Sequence, residues 1–269
     1  MKVGGRALAA LGVVVLAAVA GLWLVVRDAD RREPGCTITA LTPAANQPAT
    51  FELSHEQAGN AATIAAVGSR LGVPNHAVTV ALATAMQESK LRNLDGGDRD
   101  SLGLFQQRPS QGWGTPSQIL DPVYSATAFY QRLTAQRGWA TLSVTDAAQR
   151  VQRSAAPLAY AQWEPLARAT ARTLTGEVPA ALSCHRLPAG TPEAGLIQVA
   201  NAELGTAVLS GDHHAPARGW AISSWLVAHG AQLGVEQVNY DGHQWTAESG
   251  AWAQVGPRNG ALSLQQAAA

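Results

Sequence analysis

One carboxyl group in the sequence has a setting that suits proton transfer. Glu88 follows a run of apolar residues with helical spacing, and small side chains lie one turn before it. We expect this carboxyl to be half-buried, and desolvation raises the pKa of a carboxyl because it disfavours the charged form. The alternative is that Glu88 lies on the solvated edge of the last helical turn. If it is half-buried, Glu88 can donate a proton to a leaving oxygen.

The loop that follows this acid carries residues that suit sugar binding. Gly103 would allow the backbone to approach a ligand closely, and the amides of Gln106 and Gln107 can hydrogen-bond N-acetyl and hydroxyl groups. Trp113 is either a platform for a sugar ring or a lid over the core. Loops of this length in compact domains are usually functional. We therefore predict a functional loop or hairpin region over residues 92–118.

Three further carboxylates, those of Asp95, Asp98 and Asp100, lie in the same loop. Hydrolysis of a glycosidic bond commonly uses a pair of carboxylates, about 5 to 5.5 Å apart when configuration is retained. Asp100 is the possible second carboxylate if the chain is a hydrolase. The alternative is that all three side chains are solvated and hydrogen-bond the turns. We expect no calcium loop, because no acid stands at the closing position of an EF-hand.

Two short motifs and a later tyrosine occur in the order found in one enzyme family. Met86-Gln87-Glu88-Ser89 and the stretch from Ser101 to Pro109, which contains Gly-Leu-Phe-Gln-Gln, resemble the lytic transglycosylase (SLT-like) domain of the lysozyme superfamily. Phe105 stands where that family usually has methionine. Ala159-Tyr160-Ala161 resembles the family's Ala-Tyr-Asn motif but lacks the asparagine. The tyrosine of that motif contacts the catalytic glutamate, so the resemblance implies a contact between Tyr160 and Glu88. The resemblance covers about residues 52 to 176.

This resemblance implies an activity and a set of site residues. Glu88 would protonate the glycosidic oxygen between N-acetylmuramic acid and N-acetylglucosamine and would then act as base on the muramic C6 hydroxyl, giving a 1,6-anhydro sugar. The mechanism needs no second carboxylate and no cofactor, and the implied partner is the glycan strand of peptidoglycan. The alternative is a noncatalytic peptidoglycan-binding or scaffold protein. The residues expected to bind substrate are Ser89, Gly103, Phe105, Gln106, Gln107, Trp113 and Tyr160.

The hydrophobic periodicity predicts a mainly α fold for the first folded region. We expect a lysozyme-like helical domain over residues 51–184, with one loop or hairpin insertion. Ser54 with Gln57 three residues later predicts a capping box, and Asp121 before a proline predicts another helix start. A helix is also expected to open at Pro157.

A second, smaller domain is predicted in the rest of the chain. A linker at 185–191 leads to a small α+β domain at 192–255, followed by a tail at 256–269. Asp241-Gly242 predicts a hairpin turn. This domain looks like a module of actinobacterial cell-wall proteins, distantly similar to D-Ala-D-Ala carboxypeptidases, so a peptidase is a further alternative. Residues 212–214 (Asp-His-His) do not reproduce the ligand spacing of those enzymes, and no metal is expected.

The amino-terminal segment predicts attachment to a membrane. Residues 7–26 carry no charge and, at about 1.5 Å per residue, are long enough to cross the hydrocarbon layer. An uncleaved anchor is favoured over a signal peptide because the apolar run continues beyond the small residues at 18–20. We therefore predict a single-pass protein of the cell membrane. Residues 1–6 would be a cytoplasmic tail and residues 27–50 a stalk, with the folded domains outside the cytoplasm.

Cysteine usage and charge agree with that compartment. Cys36 and Cys184 bracket the first folded region, which predicts a disulfide that ties its ends together. The alternative is two free, buried thiols. Lys+Arg and Asp+Glu are equal at 19 each, with no basic tract. This balance gives no electrostatic footprint for nucleic acid, which we exclude as a partner.

Overall fold

Strands contribute more to the architecture than the periodicity predicted. The computed structural model describes residues 35–41, 48–188, 195–211 and 214–267, and two antiparallel sheets accompany the helices in these parts of the chain. The prediction of a mainly α fold is therefore wrong, and the described chain is α+β. The described residues from Gly35 onward cluster as one compact unit.

The first sheet occupies segments that we interpreted as a stalk and the end of a helical domain. Its central strand, β1 (Gly35–Leu41), pairs antiparallel with β2 (Pro48–Leu53) and with β3 (Leu182–His185). Cys36 and Ile38 are buried, whereas the threonines that follow them are more accessible. This alternation is the pattern of a strand with one face in the core. Nearby prolines and threonines gave the segment the composition of a linker, so the pattern was missed.

Cys36 and Cys184 form the predicted disulfide. They are direct partners across β1 and β3, with their Cα atoms 4.0 Å apart, and both are fully buried. The bridge joins residues separated by 148 positions. It therefore closes the whole helical part of the chain between the two strands, and the disulfide prediction is confirmed.

Six α-helices lie between β2 and β3, a part of the chain that is described without gaps. They are α1 (His55–Arg70), α2 (Asn75–Ser89), α3 (Pro116–Ile119), α4 (Pro122–Thr134), α5 (Val144–Gln152) and α6 (Glu164–Leu174). Ser54 and Gln57 form the predicted capping box of α1, and Asp121 caps α4. The helix expected to open at Pro157 begins instead at Glu164, where a proline occupies its first turn.

α2 is the central helix of this part. Its residues from 77 to 86 are buried all round and are mostly Ala, Val and Thr. The helix lies among α1, α4, α5 and α6. A helix that is apolar on every side is buried on every side, and the period-3.6 stripe expected from the sequence is therefore only part of its contact surface.

The carboxy-terminal elements are three helices followed by a second sheet. The helices are α7 (Leu196–Leu204), α8 (Pro216–Ala228) and α9 (Gly230–Leu233), and the strands are β4 (Val235–Tyr240), β5 (His243–Thr246), β6 (Trp252–Gln254) and β7 (Leu262–Gln266). The order in the sheet is β6-β5-β4-β7. The expected hairpin is present, with Asp241 and Gly242 both at positive φ. β7 lies within the predicted tail and pairs with β4, so this stretch belongs to the fold.

Elements on both sides of the predicted linker share one hydrophobic core. α8 packs against α1 and α6. The backbone approach is close, since a Cβ on Gly176 would lie 1.9 Å from the carbonyl oxygen of Ala217. Trp252 Nε1 also donates a hydrogen bond to the carbonyl oxygen of Leu182 at 2.8 Å, which connects the second sheet to β3.

No described helix is long and apolar enough to cross a membrane. This finding contradicts the predicted single-pass location in the cell membrane and the transmembrane helix included in the predicted fold. Residues 7–26, on which the anchor prediction falls, lie outside the described residues.

Candidate active site at the end of helix α2

Glu88 lies in the last turn of α2, one residue before the helix ends at Ser89. Its side chain is half-buried. The phenol oxygen of Tyr160 donates a hydrogen bond to Glu88 Oε1 at 2.9 Å. No described residue donates a hydrogen bond to Oε2. A carboxyl that is fixed through one oxygen and has no protein donor at the other has the arrangement that proton transfer to a bound ligand needs.

Tyr160 is buried and comes directly before a short 3-10 helix, Ala161–Trp163. Burial raises the pKa of the Tyr160 phenol, and the adjacent negative charge of Glu88 raises it further. The phenol therefore keeps its proton at physiological pH and remains a hydrogen-bond donor. The predicted contact between this tyrosine and Glu88 is present, although the asparagine of the family motif is missing.

A second set of contacts beside Glu88 was not predicted. Trp163 Nε1 donates to Gln87 Oε1 at 2.8 Å, and Gln162 Nε2 donates to the same oxygen at 3.3 Å. Lys90 Nζ lies 4.2 Å from the centroid of the Trp163 ring. Burial lowers the pKa of the Lys90 ammonium, while the negative Glu88 acts in the opposite direction. The 3-10 helix thus holds the residues on both sides of the acid.

The loop that follows α2, residues 92–118, is attached to the same end of that helix. Ser89 Oγ donates to the carbonyl oxygen of Leu104 at 2.8 Å. Gln152 Nε2, at the end of α5, donates to the carbonyl oxygen of Phe105 at 2.8 Å. The Ser89 side chain is buried. Its hydroxyl is therefore occupied in positioning the loop beside Glu88, and we find no surface through which it reaches a ligand.

Phe105 and Gln107 support the loop from the core side. Phe105 stacks on Phe129 with ring centroids 4.6 Å apart. Gln107 Nε2 donates to the carbonyl oxygen of Ser125 at 3.0 Å, and its Oε1 is buried with no partner among the described residues. Their exposed fractions are 0% and 1%. Neither side chain can touch a sugar in this conformation.

Gly103 and Gln106 shape the tip of the loop. Gly103 has φ +73°, and a Cβ there would lie 2.7 Å from the carbonyl oxygen of Ile119. The glycine is therefore required by the loop's own packing. The Gln106 side chain folds back over the loop, where its Nε2 donates to the carbonyl oxygen of Gly103 at 3.2 Å and its amide packs against Gly97. The half-buried amide of Gln106 is the part of this tip that remains near solvent.

Both carboxylate oxygens of Asp100 accept hydrogen bonds from residues of the same loop. Its Oδ2 accepts from the backbone N of Ser110 at 2.8 Å, and its Oδ1 accepts from Arg108 Nε at 2.6 Å. Hydrogen bonds from Ser110 and Arg108 hold the pKa of Asp100 well below its usual range. Within the described residues, no hydrogen bond or ion pair connects Asp100 with Glu88. The structure therefore gives Asp100 the role of a loop anchor.

Trp113 packs as a lid. Its exposed fraction is 8%, and the Arg132 guanidinium lies 3.7 Å from the centroid of its ring. Arg132 Nη2 also donates to the carbonyl oxygen of Gly112 at 2.7 Å. With one ring face under Arg132 and the rest in the core, Trp113 offers no open platform for a sugar.

A buried carboxylate outside this site, Glu203 of α7, lies between α1 and α8 and borders a cavity of about 580 Å³. Thr63 Oγ1 donates to its Oε1 at 2.9 Å, Trp225 Nε1 donates to its Oε2 at 2.7 Å, and His229 Nε2 lies 3.5 Å from Oε2. Burial raises the pKa of Glu203, but the His229 charge and these hydrogen bonds outweigh it, so the pKa is lowered. Each carboxylate oxygen has a partner, which makes this network a structural connection between helices.

Among the described residues, no group of three or more His, Cys, Asp or Glu side chains is placed to hold a metal ion. Asp212 and His213 lie outside the described residues. No family model matches the chain, and no curated protein matches it. The side chains at the end of α2 are therefore what indicates a function.

Proposed function

We propose that the chain cleaves glycan strands of peptidoglycan between N-acetylmuramic acid and N-acetylglucosamine, with Glu88 as acid and base in the manner of a lytic transglycosylase. The observation that carries the proposal is the hydrogen bond from Tyr160 to Glu88 Oε1 at the end of the buried helix α2. It fixes the carboxyl while Oε2 has no hydrogen-bond donor among the described residues. The order of motifs in the sequence supports the same assignment.

The proposed reaction uses this one carboxyl twice. Protonated Glu88 transfers its proton from Oε2 to the glycosidic oxygen, and the bond between that oxygen and the muramic C1 breaks. The resulting carboxylate then accepts the proton of the muramic C6 hydroxyl, whose oxygen forms a bond with C1. The products are a 1,6-anhydro end and a released N-acetylglucosamine hydroxyl, and Glu88 is protonated again. Tyr160 keeps the carboxyl in one orientation through both transfers.

The contacts of Asp100 favour this outcome over hydrolysis. A retaining hydrolase needs a second carboxylate free to act near the reacting carbon. Both Asp100 oxygens accept hydrogen bonds within the loop. Asp100 would have to leave Arg108 and Ser110 before it took such a role.

The test is incubation of the full-length protein with purified peptidoglycan and identification of released sugars by mass spectrometry. We expect anhydromuropeptides, and we expect Glu88→Gln to reduce their release by at least about 100-fold, since the acid is removed. Glu56→Gln is the matched control, because Glu56 is an exposed carboxylate at the start of α1. It should release sugars at the wild-type rate.

Other products would identify the alternatives. Wild-type protein that binds glycan but releases nothing would establish a noncatalytic binding or scaffold protein. Reducing ends without anhydro sugars would indicate a hydrolase and would restore Asp100 as the second carboxylate. Cleaved stem peptides would indicate a peptidase.

A further inference from the structure

We propose that Lys90, Gln87 and Trp163 form a subsite beside Glu88 that binds a carboxylate group carried by the substrate. The inference rests on the proposed function, because it assigns a substrate feature to the same site. It is carried by the backbone conformation of Lys90 and by the contacts of the three side chains.

Lys90 occupies the carboxy-terminal cap of α2, a position at which lysine is unusual. It is the cap of α2 and has φ 56° and ψ 40°, the left-handed conformation, and Leu91 after it also has positive φ. Glycine is the usual residue at such a position, with asparagine next, because a Cβ is unfavourable there. A lysine held in this strained conformation next to a candidate acid points to a use for its side chain.

The Lys90 ammonium is fixed but incompletely satisfied. Its Nζ donates to the carbonyl oxygen of Met86 at 3.1 Å and lies over the Trp163 ring. An ammonium has three N–H groups. Nζ has these two partners, and no further acceptor for it lies among the described residues. The remaining N–H is available to an anion at a position that the protein has already ordered.

The Gln87 amide supplies a second donor next to the lysine. Its Oε1 accepts hydrogen bonds from Trp163 and from Gln162. Both partners are donors, so the amide must present its oxygen to them and its NH2 group away from them. The NH2 group has no acceptor among the described residues. An ammonium and an amide NH2 group on the two sides of Glu88 form a pair of donors suited to the two oxygens of a carboxylate.

Electrostatics supports an anion at this place. The negative charge of Glu88 acts on Lys90 and raises the pKa of its ammonium group. Without a nearby cation, a substrate carboxylate would be repelled by Glu88 once Glu88 has given up its proton. Lys90 offsets that repulsion. Peptidoglycan has two sources of such a carboxylate, the lactyl group of peptide-free muramic acid and the stem peptide.

The experiment measures binding, so that it does not depend on cleavage. Dissociation constants of full-length Glu88→Gln protein are measured for three soluble ligands: peptide-free glycan strands, strands that carry stem peptides, and N-acetylglucosamine oligomers, which have neither carboxylate. Adding Lys90→Gly should weaken binding to a carboxylate-bearing ligand by about tenfold. Binding of the N-acetylglucosamine oligomers should not change. The ligand that responds more strongly identifies the source of the carboxylate.

Arg92→Gln is the matched control, because it removes an exposed positive charge two residues further along. It should leave all three dissociation constants unchanged. Lys90→Gly should melt at the wild-type temperature or above, because glycine relieves the left-handed conformation. Equal weakening for all three ligands, equal effects of the two substitutions, or no glycan binding at all would overturn the subsite. Release of no sugar by the wild-type protein would overturn the proposed function and would leave these binding measurements as the test of the subsite.

Discussion

The phenol of Tyr160 donates a hydrogen bond to the Glu88 carboxylate across 72 residues of sequence. The contact joins a 3-10 helix to the end of the central helix. Because burial raises the pKa of the Tyr160 phenol, the phenol keeps its proton and remains a donor to this carboxylate at physiological pH. The orientation of the acid is thus set by a group that does not itself titrate in the working range.

We expect Tyr160→Phe to lower the rate of anhydromuropeptide release by about tenfold and the free energy of unfolding by about 1 kcal/mol, the value of one hydrogen bond. The carboxyl would lose its fixed orientation although the ring would still pack. Initial rates and urea denaturation check the two effects. Tyr130→Phe is the control, since Tyr130 donates a buried hydrogen bond to the carbonyl oxygen of Ile64, away from Glu88. It should lose stability but keep its rate. A wild-type rate in Tyr160→Phe would show that the contact has no part in the reaction.

Local signals in the sequence identified the parts of the fold that depend on nearby residues. The Ser54 capping box, the Asp121 cap and the Asp241-Gly242 hairpin all formed as expected. The first sheet did not follow from local signals, because β1 and β3 pair across most of the chain. The cysteine pair was the one indication of that long-range contact.

The residues of the candidate site also divide into those with a local signal in the sequence and those without one. Glu88 and Tyr160 were found because each carries a recognisable motif. Lys90 was missed because its use depends on a strained backbone and on Trp163, which is distant in sequence. Trp163 could have been suspected, because residues three apart in a 3-10 helix lie on one side and Tyr160 precedes it by three. Trp113 was left open between platform and lid, and only its burial under Arg132 decided the matter.

The disulfide is expected to supply a large part of the stability. Its loop of 148 residues implies that the bridge reduces the entropy of the unfolded chain by an amount worth about 5 kcal/mol. Replacing Cys36 and Cys184 together by alanine should lower the free energy of unfolding by roughly that amount in urea denaturation. Wild-type protein in reducing buffer should behave like the variant. Unchanged stability on reduction would mean that β1 and β3 are held together by other contacts.

Gly103→Ala should displace the loop beside Glu88. The substituted Cβ would meet the carbonyl oxygen of Ile119 in addition to the strain of φ +73°, and we expect a loss of about 2 to 3 kcal/mol together with slower sugar release. Gly72→Ala is the control, because Gly72 has φ +69° and open space where its Cβ would stand. It should lose only about 1 kcal/mol, the strain alone. Equal losses in the two variants, measured by urea denaturation, would contradict the packing role of Gly103.

The buried network around Glu203 can be tested by measuring the free energy of unfolding at acidic pH. Its pKa is lower in the folded protein than in the unfolded chain, where a glutamate titrates at about 4.3. The network therefore contributes its full stability above that value, and the contribution is lost as the pH falls through the folded pKa. At pH 7, Glu203→Gln should cost about 3 kcal/mol because His229 and Trp225 lose their charged partner. Urea denaturation from pH 7 down to pH 3 should show the difference between wild type and variant shrinking below about pH 4. A constant difference between wild type and Glu203→Gln would mean that this carboxylate does not titrate in that range.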